Sequence, residues 1–124
     1  AEQVLSTMQL PCVLKQPDSA FSMGVMKAHT PEEYRAKVEK LLDQSDLIIA
    51  QPFVPTDFDW RVGVLDGEPL YVCKYYMARG HWQILKRDDQ GKVETGKGDT
   101  LPIYQAPPHV VDAAVRAAEL IGDG

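Results

Sequence analysis

The dipeptide Asp66-Gly67 stands between two alternating apolar runs, residues 60–65 and 68–77, and commits this stretch to an antiparallel hairpin. Counting outward from a two-residue turn, Leu65 faces Glu68, Arg61 faces Val72 and Asp59 faces Lys74. Directly opposed residues share a face of a sheet, as do alternate residues along each strand. The sequence thus predicts Asp59, Arg61 and Lys74 together on one charged face. Trp60, Val62, Val64, Tyr71, Cys73 and Tyr75 fall on the other, as core. A four-residue loop keeps this parity, whereas a three-residue loop would scramble it. Taken alone, the charged cluster describes a solvated face with weak surface pairs.

A second pair of strands brackets a loop of mostly small side chains. Residues 11–16 form an apolar strand ending in Lys15, residues 17–22 the loop, and residues 23–28 a second strand. A lysine inside a β-rich apolar run needs something for its charge to meet. Beside it, loop amides unshielded by large side chains (Phe21 is the exception) can approach an anion closely. A strand lysine next to such a loop is a plausible phosphate clamp. It is not the Walker loop, whose lysine follows the glycines and precedes Ser or Thr.

Thr30-Pro31-Glu32-Glu33 opens a helix with a cap, a proline at its first position and a capping-box glutamate. Tyr34, Val38, Leu41 and Leu42 give it one apolar face to about residue 44. The run 46–54 reads as a buried strand that Pro52 confines to an edge or ends, leaving 51–54 extended. Residues 79–86 read as a further strand, and 88–100 as a polar, mobile loop. Pro107 and Pro108 introduce a last helix with Val111, Ala114, Val115, Ala118 and Ile121 as its stripe. Hairpins with helices between them define an α+β class.

At 124 residues the chain is large enough for a real core, and its net charge of -5 disfavours a broad nucleic-acid footprint. No apolar stretch approaches the roughly 20 residues that span a bilayer, and there is no signal-like N-terminus. Cys12 and Cys73 form neither a disulfide framework nor a zinc spacing and read as small buried hydrophobes in a cytoplasmic protein. His29, His81 and His109 are scattered, as surface residues are. Residues 1–8 look like the tail of a helix already under way, and the end at 121–124 stops where a strand would be natural. The expectation is a piece of a longer protein, prone to self-association through uncovered surface.

In order and spacing, these motifs resemble the ATP-grasp ligases. They are most similar to the RimK-like branch, related to glutathione synthase and the ribosomal-protein glutamate ligase. Val13-Leu14-Lys15-Gln16-Pro17, followed by Ser22 and Gly24-Val25, resembles the family's strand lysine and flexible glycine loop. Ile49-Ala50-Gln51-Pro52-Phe53-Val54 resembles the hinge between the two grasping subdomains, and Asp59-Trp60-Arg61-Val62 the motif that follows it. The resemblance implies that Lys15, Ser22 and Gly24 meet the ATP phosphates and that Gln51, Pro52, Phe53 and Val54 line the adenine. It further implies Asp59 near the ribose and Arg61 and Lys74 at the reacting groups. Residues 1–54 would be the small subdomain and 55–124 the truncated start of the larger one. The implied activity joins a carboxylate, through an acylphosphate, to an amine or thiol acceptor, with ATP and Mg²⁺ and no membrane. The Mg²⁺ ligands are expected beyond Gly124. Gln83-Ile84-Leu85 stands where the family carries Arg-x-Asn, a departure from its pattern. The alternative is a non-catalytic antiparallel sheet that binds a peptide or protein through Tyr75, Tyr76 and Trp82, which otherwise form a packed rim.

Overall fold

The computed structural model describes residues 2–20 and 22–122; Phe21 in the lysine loop and Asp123-Gly124 at the end lie outside the described residues. The chain divides into two compact units, one through Pro55 and one from Thr56 onward.

The first unit contains helix α1 (Glu2–Thr7), strands β1 (Cys12–Lys15) and β2 (Val25–Ala28), helix α2 (Pro31–Leu42) and strand β3 (Ile49–Pro52). Both neighbours of β1 run antiparallel to it, giving the order β2-β1-β3. Alternation along β1 separates the two faces. Cys12 and Leu14, both fully buried, pack with Ala28 against Tyr34, Val38 and Leu41 of α2. Val13 and Lys15 point to the opposite, helix-free face.

The start of α2 is fixed as the sequence predicts. Thr30 Oγ1 accepts from the Glu33 N–H at 3.2 Å, a cap worth about 1 kcal/mol. The Glu33 carboxylate accepts from Lys37 Nζ at 2.8 Å and from the His29 N–H at 3.0 Å. The Lys37 hydrogen bond, and after it the His29 N–H, holds the Glu33 carboxyl below the usual range. Leu42, expected on the buried stripe, is 47% exposed. It stands about 100° round the helix from Leu41.

The second unit holds β4 (Phe58–Leu65), β5 (Glu68–Tyr76), β6 (Leu85–Arg87), β7 (Val93–Thr95), β8 (Gly98–Leu101) and α3 (Pro108–Glu119). A short 3₁₀ turn at Ile103–Gln105 precedes α3. Asp66 and Gly67 both adopt positive φ, 51° and 73°, as a type I′ hairpin requires. The pairs Leu65↔Glu68 and Val64↔Pro69 follow the count from the turn.

Beyond them the register slips. Gly63 pairs with Tyr71, leaving Leu70 as an extra residue, and the outer pairs become Val62↔Val72, Arg61↔Cys73, Trp60↔Lys74 and Asp59↔Tyr75. The predicted faces are therefore wrong beyond the slip: Asp59 and Arg61 share a face with Tyr71, Cys73 and Tyr75. Lys74 joins Trp60, Val62 and Val72 on the other. Two residues explain the bulge. Pro69 has no N–H to give a ladder, and Gly63 leaves the space that the Tyr71 ring fills, where any Cβ would collide with it.

Both faces are covered at the centre of β5, since Val72 is 0% and Cys73 8% exposed. The division into one core face and one charged face is thus also overturned. β8 pairs with β5, and β7 with β6; β7 and residues 98–100 of β8 lie in the stretch the sequence assigned to a loop. Residues 79–84 are turn and irregular rather than strand, so only the end of the predicted 79–86 strand forms. At the last helix Ile121 is 92% exposed and does not continue the stripe. No helix among the described residues is long and apolar enough to cross a membrane.

Candidate functional site

On the helix-free face of the first sheet two rows cross all three strands. One row is Lys27–Val13–Gln51 and the other Val25–Lys15–Ile49. Two lysines thus sit diagonally on adjacent strands, with the polar Gln51 beside them. Lys15 is half-buried between Val25 and Ile49 and forms no ion pair among the described residues. Its stem lies among apolar cross-strand neighbours.

The loop after Lys15 is closed by short bonds. The Gln16 N–H donates to Gly24 O at 3.0 Å, Ser19 Oγ to Gln16 O at 2.9 Å, and the Met23 N–H to Ala20 O at 3.1 Å. Ser22 and Gly24 lie in the left-handed region, with φ of 59° and 63°. A side chain at Gly24 would meet both that backbone strain and the Gln16 side chain packed against it. Gln16 Nε2 in turn reaches Leu41 O at 3.4 Å, tying the loop's base to the end of α2.

The segment 51–54 runs along the sheet edge, where Pro52 costs no interior hydrogen bond. The Phe53 N–H donates to Pro11 O at 3.0 Å, which fixes the residue just past β3. The Phe53 ring carries the Lys27 ammonium 4.1 Å from its centroid. Val54 is 69% exposed. The first unit therefore brings Lys15, Gln51 and Phe53 to one sheet face, with the Ser22–Gly24 turn closing onto the end of β1.

The chemistry-bearing residues of the second unit fall into two groups. The Arg61 guanidinium lies 4.9 Å from the Tyr75 ring centroid, and Asp59 Oδ1 accepts from Thr56 Oγ1 at 3.4 Å. On the opposite face the Lys74 ammonium lies 4.6 Å from the Phe58 ring and 5.1 Å from Trp60, with Asp99 paired across from it on β8. Phe58 and Trp60 meet edge to face at 5.2 Å. Burial, then a hydrogen bond with Asp99, raises the Tyr76 phenol above its usual range. The hairpin thus separates Lys74 from Arg61 and Asp59, which sequence counting had joined. Tyr75 and Tyr76 point to opposite faces as well, so they form no single stacking platform.

Lys27 is the residue that sequence reasoning missed. The signal was present, because Val25-Met26-Lys27-Ala28 alternates in step with Val13-Leu14-Lys15 once the two strands pair. Elsewhere, a groove of about 600 Å³ runs between Gln16–Asp18 and residues 42–47. Asp18, Asp43 and Asp46 line it, so its charge repels phosphate.

Both cysteines are free and buried, and burial raises the Cys12 thiol above its usual range. Among the described residues no group of three or more His, Cys, Asp or Glu could hold a metal.

No protein-family model matches the sequence. Over 114 residues, 90% of the chain, it is 29% identical to a D-alanine–D-alanine ligase of Syntrophotalea carbinolica. It is 25% identical over 73 residues to a D-alanine–D-alanine ligase of Acinetobacter baumannii. The crystal structure of the D-alanine–D-alanine ligase from Bacillus anthracis superposes on 95% of the chain with a TM-score of 0.63 at 15% identity. The chain spans 36% of the first of these relatives and 36% of the superposed structure. Its α+β architecture, antiparallel sheets with few helices, is that of the matching part of an ATP-grasp fold.

Proposed function

We propose that this chain is the nucleotide-binding portion of an ATP-grasp carboxylate–amine (or thiol) ligase working through an acylphosphate. The observation that carries the proposal is the helix-free face of the first sheet. There a half-buried lysine that forms no ion pair among the described residues, a left-handed glycine turn and an edge segment with an anchored aromatic ring belong to one small unit. Phosphoryl transfer asks for positive charge and position more than for a side-chain nucleophile, and Lys15 supplies both.

The relatives' name supports the ligation class, since joining two D-alanines links a carboxylate to an amine. Within the superfamily we assign the chain to the RimK-like branch on its hinge and Asp59-Trp60-Arg61-Val62 motifs. Lys15, Ser22 and Gly24 take the phosphates, and Gln51, Pro52, Phe53 and Val54 the base. Asp59 takes the ribose, while Arg61 and Lys74 act at the reacting groups. Because the hairpin puts Arg61 and Lys74 on opposite faces, they serve different parts of the reaction rather than one shared clamp. Residues 1–54 form the smaller grasping subdomain and 55–124 part of the larger. Mg²⁺ would neutralise the phosphate charge when bound, from ligands other than the described residues.

Photolabelling tests the base site. Irradiation with 2-azido-ATP is expected to modify the peptide containing residues 51–54, and excess ATP to suppress that label. Labelling spread over the chain, or a label at 51–54 that ATP fails to compete away, would contradict the assignment.

A further inference from the structure

We infer that the exposed edge of β8 pairs antiparallel with β8 of a second copy, in the register that sets Lys97 of each chain opposite Asp99 of the other. The sheet β4-β5-β8 ends at β8, whose Gly98, Asp99 and Thr100 are all exposed. Lys97 extends the ladder by one residue, since the Tyr76 N–H donates to Lys97 O at 2.9 Å. Backbone groups alternate in direction along a strand, so Lys97, Asp99 and Leu101 turn theirs toward β5. Gly98 and Thr100 turn theirs outward, and no further strand among the described residues pairs with them. Such an edge is a template for another chain, and no proline interrupts it before Pro102. At the other edge Asp57 O accepts from the Met77 N–H, which turns Phe58, Trp60 and Val62 outward. Those three are half-buried, so β8 is the more open edge.

Charge selects the register. Gly98 opposite Gly98 sets Lys97 against Asp99 twice, on one face of the joined sheet. Gly98 opposite Thr100 sets Asp99 against Asp99, a like-charge clash. Thr100 opposite Thr100 sets Asp99 against Leu101 and leaves the carboxylate unanswered. Both charges are available for the first arrangement. Neither Lys97 nor Asp99 forms an ion pair among the described residues. Lys74, across from Asp99, rests against the Phe58 and Trp60 rings instead. The hydrogen bond with Tyr76 leaves the Asp99 carboxylate lone pairs for a lysine. A few backbone hydrogen bonds and two exposed ion pairs bury little area, so the dimer is weak, reversible and weakened by salt.

Sedimentation of the whole chain across concentration, at low and high salt, tests this. A monomer–dimer equilibrium that salt shifts toward monomer is expected. Lys97→Asp should weaken association about tenfold, because both ion pairs become repulsions. Asp99→Lys should do the same, and mixing the two variants should restore a dimer, since their charges are then opposite at both pairs. Amide NMR of the unaltered chain reads the surface itself: dilution should move Gly98 and Thr100 and leave β4 still. That arm decides the matter even if Asp99→Lys, which loses the Tyr76 bond, folds poorly. A chain that stays monomeric at millimolar concentration would overturn the inference. So would Lys97→Asp associating as the parent does, a mixture of the two folded variants that remains monomeric, or dilution shifts at β4 with β8 unmoved.

Discussion

Replacing Lys15 with methionine is expected to lower ATP affinity at least about thirtyfold while leaving the amide spectrum of the fold in place. The stem of Lys15 packs between Val25 and Ile49, and methionine preserves that packing. What the variant removes is a half-buried ammonium that forms no ion pair among the described residues. Truncating one side of a desolvated, hydrogen-bonded charge contact costs about 2–5 kcal/mol in binding, which sets the scale of the loss. Adenosine, which has no phosphate, should bind the variant and the parent equally. Calorimetric titration with both ligands checks this, and a variant that binds ATP as the parent does would remove Lys15 from the site.

The next residue back along the chain should show the opposite behaviour. Leu14 is fully buried between Cys12 and Ala28 on one side and Tyr34, Val38 and Leu41 on the other. Leu14→Ala deletes contacts that nothing can move in to replace, and a loss of about 2–5 kcal/mol of stability is expected. That is a large share of the roughly 5–15 kcal/mol a small domain possesses. Leu47→Ala, at a residue 71% exposed, should cost less than about 0.5 kcal/mol. Urea unfolding of the two variants reads the difference directly. A Leu14 variant as stable as the Leu47 variant would mean that α2 does not pack on this sheet as described.

This contrast between neighbours was legible in the sequence only in part. The apolar run 12–15 was legible as a strand, whereas which of its faces carries the helix was not, because Val13 on the helix-free side is as apolar as Cys12 and Leu14. Thr30, Pro31 and Glu33 announced α2 because capping is local chemistry. The hairpin turn was legible for the same reason, since Asp66-Gly67 tolerates left-handed backbone at both positions.

The register beyond that turn was harder to read. Counting pairs assumes no extra residue, and one extra residue moved Lys74 to the other face from Arg61. Pro69 and Gly63 were the warnings, because proline and glycine inside a strand often mark a bulge. Strands β7 and β8 left less trace. Val93, Glu94, Thr95, Gly98, Asp99 and Thr100 are all exposed, so backbone hydrogen bonds hold these strands with little apolar alternation to reveal them. Lys27 was overlooked for a different reason. Its significance lies in its diagonal relation to Lys15, which exists only once β1 and β2 are paired.

Amide NMR of the chain with a non-hydrolysable ATP analogue tests whether the helix-free face of the first sheet binds a nucleotide. Saturable shifts are expected at Lys15, Ser22, Gly24, Gln51 and Phe53, with the buried face at Leu14 and Val38 largely still. An unchanged spectrum at those five residues in millimolar nucleotide would contradict it.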